Sequence, residues 1–224
     1  MAGTREPQYQ DALDLREKQG YTRLGLSTGI SWHDDPKRFA FTFARYKFVA
    51  KMFGGMNHVL EVGCGDGFAS RVVLQDVKKL TAIDFDPLFV QDCNDRMEPD
   101  WTFECKVHDM LSGPVPPGNF DGAYSLDVLE HIDPKHEETF VGNAVKSLNE
   151  HGSLIVGMPS LNSQIYATPR SKAGHINCKH APDLKALMEK FFHRVFIFSM
   201  NDEIVHTGYY PMAHYLIALC ADRK

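Results

Sequence analysis

Three glycines at alternate positions, Gly63, Gly65 and Gly67, follow the apolar run Val59-Leu60-Glu61-Val62. Glycine adopts positive φ without strain and leaves bare backbone against which a ligand can lie. A helix beyond such a loop turns its unpaired N–H groups towards an anion. The plain alternative is a tight strand-to-helix turn. Spacing favours the ligand: the next apolar run, Leu80–Ile83, ends at Asp84, 17 residues after Gly67. In a doubly wound sheet a carboxylate at that strand tip meets the two hydroxyls of a ribose. Dinucleotide loops read G-x-G-x-x-G, their third glycine admitting the helix close to the sheet. Here the pattern is G-x-G-x-G, with Glu61 inside the strand and Asp66 in the loop. Acids beside a pyrophosphate repel it. They suit a nucleoside cofactor of cationic character, a sulfonium that also bears an ammonium group.

A second set of reactive groups lies further along the chain. His131, His175, His180 and His206, with Asp202, are the side chains able to take a proton from a hydroxyl near neutral pH. His131 stands where a strand tip meets its loop. His175 lies in a long stretch after the fifth apolar run. His206 follows Asn201 and Asp202 and precedes Tyr209 and Tyr210. That segment either contacts a polyhydroxylated acceptor or simply connects a hairpin. His175-x-x-Cys178-x-His180 offers three groups too close together for a paired zinc site, so no metal ligands are assigned. Scattered carboxylates would suffice for magnesium assistance of a hydroxyl acceptor.

These groups need a scaffold, and the chain spells one out. A short helix is expected around Gln8–Lys18, within a polar segment 1–36 that forms an N-terminal cap. Phe39, Phe43, Tyr46 and Ala50 recur at spacings of three and four, an amphipathic helix stopped by Gly54-Gly55. Strands are predicted at His58–Val62, Leu80–Ile83, Trp101–Val107, Phe120–Leu126, Ser153–Met158, Val195–Ser199 and His214–Cys220. Helices are predicted at Phe68–Gln75, from Pro87, at His136–Leu148 and at Asp183–Phe192. This alternation implies parallel βαβ units. Residues 161–179 read as a loop-like insertion with a short helical piece near Gln164, the kind of segment usually reserved for function. One domain over 1–224 is expected, with the cofactor core at 37–160 and the substrate-side loop and last strands at 161–224.

Composition bounds the possibilities. Hydrophobic residues make up 43% and charged residues 24%, which excludes disorder, collagen and coiled coil as the main architecture. A net charge of −5 opposes a broad electrostatic grip on nucleic acid or an anionic membrane. Five cysteines with no CxxC pair point to a reducing compartment, hence the cytoplasm. The charged N-terminus lacks the apolar core of a signal peptide, and no run reaches the ~18 apolar residues of a bilayer span.

Four blocks together resemble class I S-adenosylmethionine-dependent methyltransferases, in particular the UbiG-like group acting on small molecules. They are LEVGCGDG with the following IDFDP, His108-Asp109-Met110, Phe120-Asp121 with Leu129-Glu130-His131-Ile132, and Leu148–Val156. The resemblance spans roughly 57–160. It implies an α/β, doubly wound, seven-stranded, mostly parallel sheet whose last strand is antiparallel. It implies S-adenosylmethionine held by Glu61, Gly63, Cys64, Gly65 and Gly67, by Asp84 and Phe85 at the ribose, and by Asp109 and Met110 at the adenine. Ser125 or Leu126 would lie under the methionine, and Arg45 could pair with its carboxylate. The acceptor would be a small polar molecule, a sugar, a quinol or a relative, methylated on oxygen with His175, then His206 or His131, as base. An RNA or protein methyltransferase working with a partner, or a non-catalytic interaction module, are the alternatives. Residues 125–128 read SLDV in place of an (N/D)PP(Y/F) signature, which disfavours methylation of RNA bases.

Overall fold

Short apolar runs bounded by glycine, proline or acid become the strands of one sheet. The computed structural model describes residues 3–224; Met1 and Ala2, the start of the N-terminus read as free of a signal, lie outside them. The strands are β1 (Val59–Val62), β2 (Leu80–Asp84), β3 (Glu104–Val107), β4 (Phe120–Leu126), β5 (Leu148–Pro159), β6 (Phe192–Asn201), β7 (Ile204–His206) and β8 (Tyr215–Arg223). The helices are α1 (Gln10–Gln19), α2 (Leu26–Asp34), α3 (Arg38–Met52), α4 (Ser70–Leu74), α5 (Pro87–Asp95), α6 (Glu137–Ser147), α7 (Pro169–Gly174) and α8 (Ala181–Met188).

The sheet order is β3-β2-β1-β4-β5-β8-β6-β7. Strands β1 to β5 run parallel, while β8 is antiparallel to both β5 and β6. The sheet has eight strands rather than the expected seven. The additional strand is β7, which pairs Ser199 with His206 and Asn201 with Ile204 in a hairpin on β6. The segment around His206, read from the sequence as either an acceptor contact or a hairpin connection, forms that hairpin.

Alternate residues feed opposite faces, as the two-residue repeat of a strand requires. Leu60, Val62 and Leu216 pack with Phe140 of α6 and Leu184 of α8. Val59, Tyr124 and Ile217 pack with Tyr46 and Val49 of α3 and with Phe53, which caps it. Burial on both faces explains why the central strands read as continuous apolar runs. The chain order reverses between β1 and β4, and the crevice at the carboxyl ends of such strands is where ligands bind in open α/β sheets.

Two regions are more ordered than their sequence predicts. Segment 1–36 contains a second helix, α2, and the 161–179 insertion adds α7 to the helical piece expected near Gln164, a 3-10 turn over Leu161–Tyr166. No helix among the described residues is long and apolar enough to cross a membrane.

Candidate functional site

The loop leaving β1 takes the conformation its glycines permit, with φ of +78° at Gly63, +54° at Gly65 and +66° at Gly67. Packing dictates two of the three. A Cβ on Gly63 would lie 2.3 Å from Val128 Cγ2, and one on Gly67 2.5 Å from Cys93 Sγ. At Gly65 a Cβ would meet only Ser27 Oγ, at an ordinary 3.7 Å, so the left-handed φ rather than crowding calls for glycine there. Gly63→Ala should cost about 2–4 kcal/mol, combining left-handed strain with overpacking against a stiff valine. Urea denaturation would read this as a lower midpoint at unchanged slope, and an unmoved midpoint would show that the loop yields freely.

Asp84, at the tip of β2, joins that strand to the loop. Its carboxylate accepts from Gly65 N at 2.8 Å and from Asp86 N at 3.0 Å. Phe85 beside it is 74% exposed. Asp109, beyond β3, is exposed and accepts from Leu111 N at 2.8 Å. Phe85 and Asp109 are thus open to solvent at the strand ends, whereas Asp84 is buried with each oxygen on a main-chain N–H. Met110 and Leu126 are instead buried in the core, so any ligand contact from them would run through their main chain. Ser125 is buried as well, with a hydroxyl that finds no partner.

Three expectations need correction. Glu61 does not present a carboxylate to the crevice: it lies beneath the loop, 1% exposed, accepting from Tyr46 Oη at 2.9 Å. Burial pushes its pKa up, so it props the loop rather than attracting a cation. Asp66 is likewise occupied. It accepts from Ser27 Oγ (2.9 Å), Thr28 N (2.7 Å) and Thr28 Oγ1 (2.9 Å), tying α2 over the loop. The Cys64 thiol turns inward to Cys105 Sγ at 3.8 Å. Together α2, α3 and the loop enclose a pocket of about 140 Å³ lined by Ser27, Thr42, Tyr46, Cys64 and Phe68. Its cap residues, Ser27 and Thr28, went unnoticed in the sequence because they carry no apolar periodicity.

Arg45 is also otherwise engaged. Its Nη1 lies 2.8 and 2.9 Å from the two oxygens of Asp127, and its guanidinium stacks 3.7 Å over the Tyr215 ring. Burial alone would lower its pKa; Asp127 outweighs this and raises it. Asp127 itself adopts φ +58°, uncommon outside glycine and frequent at functional sites.

Past Asp127 the chain makes a 3-10 turn, Leu129–His131, which meets the end of α7. The main-chain oxygen of Glu130 accepts from Ile176 N and Asn177 N, both at 2.9 Å. These bonds draw His131 and His175 together, with ring centroids 5.2 Å apart. His131 Nδ1 meets Gly174 O at 2.8 Å, and His175 Nδ1 meets Gln164 Oε1 at 2.9 Å. Burial, and then His131, hold the His175 pKa below the ordinary histidine value. His175 also lines a groove of about 440 Å³ with Pro159, Ser163, Tyr166, Ser171 and His214. His206 lies apart in the hairpin. Its Nδ1 accepts from Gly208 N and its Nε2 bonds Asn201 Oδ1, so neither nitrogen is free to act as a base.

Residues 59–152 match the family model described as a methyltransferase domain. Over those residues, about two fifths of its length, the chain is similar to a methyltransferase domain. The chain is 29% identical over 132 residues to the 2-methyl-6-phytyl-1,4-hydroquinone methyltransferase of Synechocystis sp., an alignment covering 55% of this chain and 41% of that protein. It thus spans about two fifths of the length of that curated relative. Among solved structures, the N-methyltransferase NodS of Bradyrhizobium japonicum WM9, bound to S-adenosyl-L-homocysteine, superposes with a TM-score of 0.64 at 19% identity, over 85% of this chain and 90% of that one. The plantazolicin methyltransferase BpumL superposes at 0.64 and 10% identity, over 88% and 89%. The fold is therefore shared with both.

Proposed function

We propose that this methyltransferase domain transfers the methyl group of S-adenosylmethionine to a hydroxyl of a small polar molecule seated in the groove beside His175. The observation that carries the reading is one shared edge of the sheet. The uncrowded Gly65, the Asp84 carboxylate, and the His131–His175 pair reached through Asp127 all stand at the carboxyl ends of β1, β2 and β4.

The residues present fit the cofactor. Gly65 is the uncrowded glycine of the loop, and Asp84 and Asp109 offer carboxylates at the tips of adjacent strands. The cofactor supplies an already activated methyl on a cationic sulfur, so the protein must align the acceptor and remove a proton. A groove of about 440 Å³ suits a small acceptor, within the usual range for such sites. His175, held neutral by burial, is oriented by Gln164 to receive a hydroxyl proton. The quinol named for the Synechocystis relative is one such hydroxyl compound.

Calorimetry tests the cofactor, and a labelled-methyl transfer assay against separated metabolites, glycans, RNA and proteins tests the acceptor. Micromolar binding of S-adenosyl-L-homocysteine without NAD binding is expected, and label should enter the metabolite fraction. Label entering only RNA or protein would sink the small-molecule reading. Asp84→Ala should weaken S-adenosyl-L-homocysteine by tenfold or more, because hydrogen bonds to a charged group contribute ~1.5–3 kcal/mol each. Unchanged affinity in the folded variant would remove Asp84 from the site.

A further inference from the structure

Glu130 is a buried acid without an explanation in the mechanism above. It is 1% exposed, and neither carboxyl oxygen has a hydrogen-bond partner. A buried carboxylate with no partner is costly, and a bound cation is one group that would offset the cost. Two imidazoles stand beside it. One oxygen of Glu130 and one nitrogen each of His131 and His175 lie within 4.8 Å of one another.

The histidines are prepared in a particular way. Each Nδ1 faces an oxygen, Gly174 O for His131 and Gln164 Oε1 for His175. The Gln164 amide is oriented by its nitrogen, which donates to Ser160 O and Ser163 Oγ. An oxygen acceptor places the proton on Nδ1 and leaves the lone pair on Nε2. Fixing the tautomer through the second nitrogen is how proteins orient metal-ligating histidines.

We propose that Glu130, His131 and His175 bind a divalent transition-metal cation at the wall of the acceptor groove. Two imidazoles and one carboxylate favour Mn²⁺, Fe²⁺ or Zn²⁺ over the oxygen-seeking Mg²⁺ and Ca²⁺. Ligands ~2.0–2.2 Å from one ion stand no more than about 4.4 Å apart, so small side-chain rotations close the site. Because His175 belongs to both the triad and the groove wall, the ion borders the acceptor. Its contribution to methyl transfer rests on the function proposed above: a hydroxyl oxygen on the ion loses its proton to water more readily. The O–CH₃ bond then forms as the S–CH₃ bond breaks, and the bonding pair stays on sulfur. This replaces the His175-x-x-Cys178-x-His180 set weighed from the sequence, since the fold brings Glu130 and His131 to His175 instead.

The test uses the full chain stripped with chelator, with Mn²⁺ as the probe, followed by electron paramagnetic resonance and thermal melting. One saturable Mn²⁺ per chain is expected, with melting raised by ~5–10 °C at about a hundred times Kd. Glu130→Gln and His175→Ala should each weaken binding at least tenfold, and His151→Ala, exposed on β5, should not. Glu130→Gln loses no hydrogen bond, so the stripped variant should melt no lower than the stripped wild type. Absence of saturable binding, or binding unchanged in both triad variants, overturns the site. S-adenosyl-L-homocysteine affinity, measured in parallel, reports separately on the cofactor reading.

Discussion

Replacing His175 by alanine is expected to lower methyl-transfer turnover by ~10²–10⁴-fold while leaving S-adenosyl-L-homocysteine affinity within about twofold. The separation of effects follows from position. His175 lies at the end of α7 on the groove wall, whereas the cofactor loop leaves β1 and is held by Asp84 and Asp66. Whether His175 accepts the proton directly or holds a cation that acidifies the hydroxyl, its loss removes the same step. The two roles part in their response to chelator: only the second makes wild-type turnover metal-dependent. The pH profile adds a check. A folded pKa below 6.5 keeps the ring neutral, so the acid limb of activity should fall below the ordinary histidine value. Between the folded pKa and 6.5 the unfolded chain binds the extra proton. The contribution of His175 to stability is therefore present above 6.5 and lost as pH falls. A single-turnover rate within about threefold of wild type, roughly 0.6 kcal/mol, would free His175 from the chemistry.

The strands and the cofactor loop were legible because each is dictated locally. Phe120–Leu126 has the same bounds in sequence and structure, since every position but one is buried and the stops are unambiguous. Gly63 and Gly67 are readable for a similar reason: the chain admits no other residue at those angles and contacts. Helix α2 was not legible. Its sequence LSTGISWHD has no apolar stripe and an internal glycine, and bonds from Thr28 N and Leu26 N to Asp66 and Asp92 hold it in place. The same bonds explain the misreading of Asp66 as a charge for the cofactor.

Segment 161–174 did carry local signals. Ser160 caps the 3-10 turn by accepting from Ser163 N, and Thr168 caps α7 with Pro169 in its first turn. What no local signal could supply is the meeting of His131 and His175 across 44 residues. That pairing depends on the Glu130 carbonyl catching two N–H groups after α7. Glu130 was visible in the Leu-Glu-His-Ile block, yet only its burial without a partner marks it as exceptional.

Arg45→Met is expected to destabilise the fold by about 2–4 kcal/mol, a fall of roughly 5–15 °C in melting temperature. Breaking a buried ion pair by removing one partner costs ~3–5 kcal/mol, because the other charge is stranded. Asp127 keeps 39% side-chain exposure, so water recovers part of that cost. Loss of the guanidinium from the Tyr215 ring adds to it. The consequence reaches the site. Asp127 is held at φ +58° by Arg45 and by its own N–H to Gly157 O at 3.0 Å, and it leads directly into Glu130 and His131. Turnover should therefore fall with stability. Asp127→Asn tolerates the same backbone angle and removes only the charge. A double-mutant cycle of the two changes should show coupling of about 1–3 kcal/mol. The sequence had offered Arg45 to the carboxylate of the cofactor. In that case Arg45→Met would weaken S-adenosyl-L-homocysteine with little loss of stability and no coupling to Asp127, and the ion pair would not be what fixes the turn into the site.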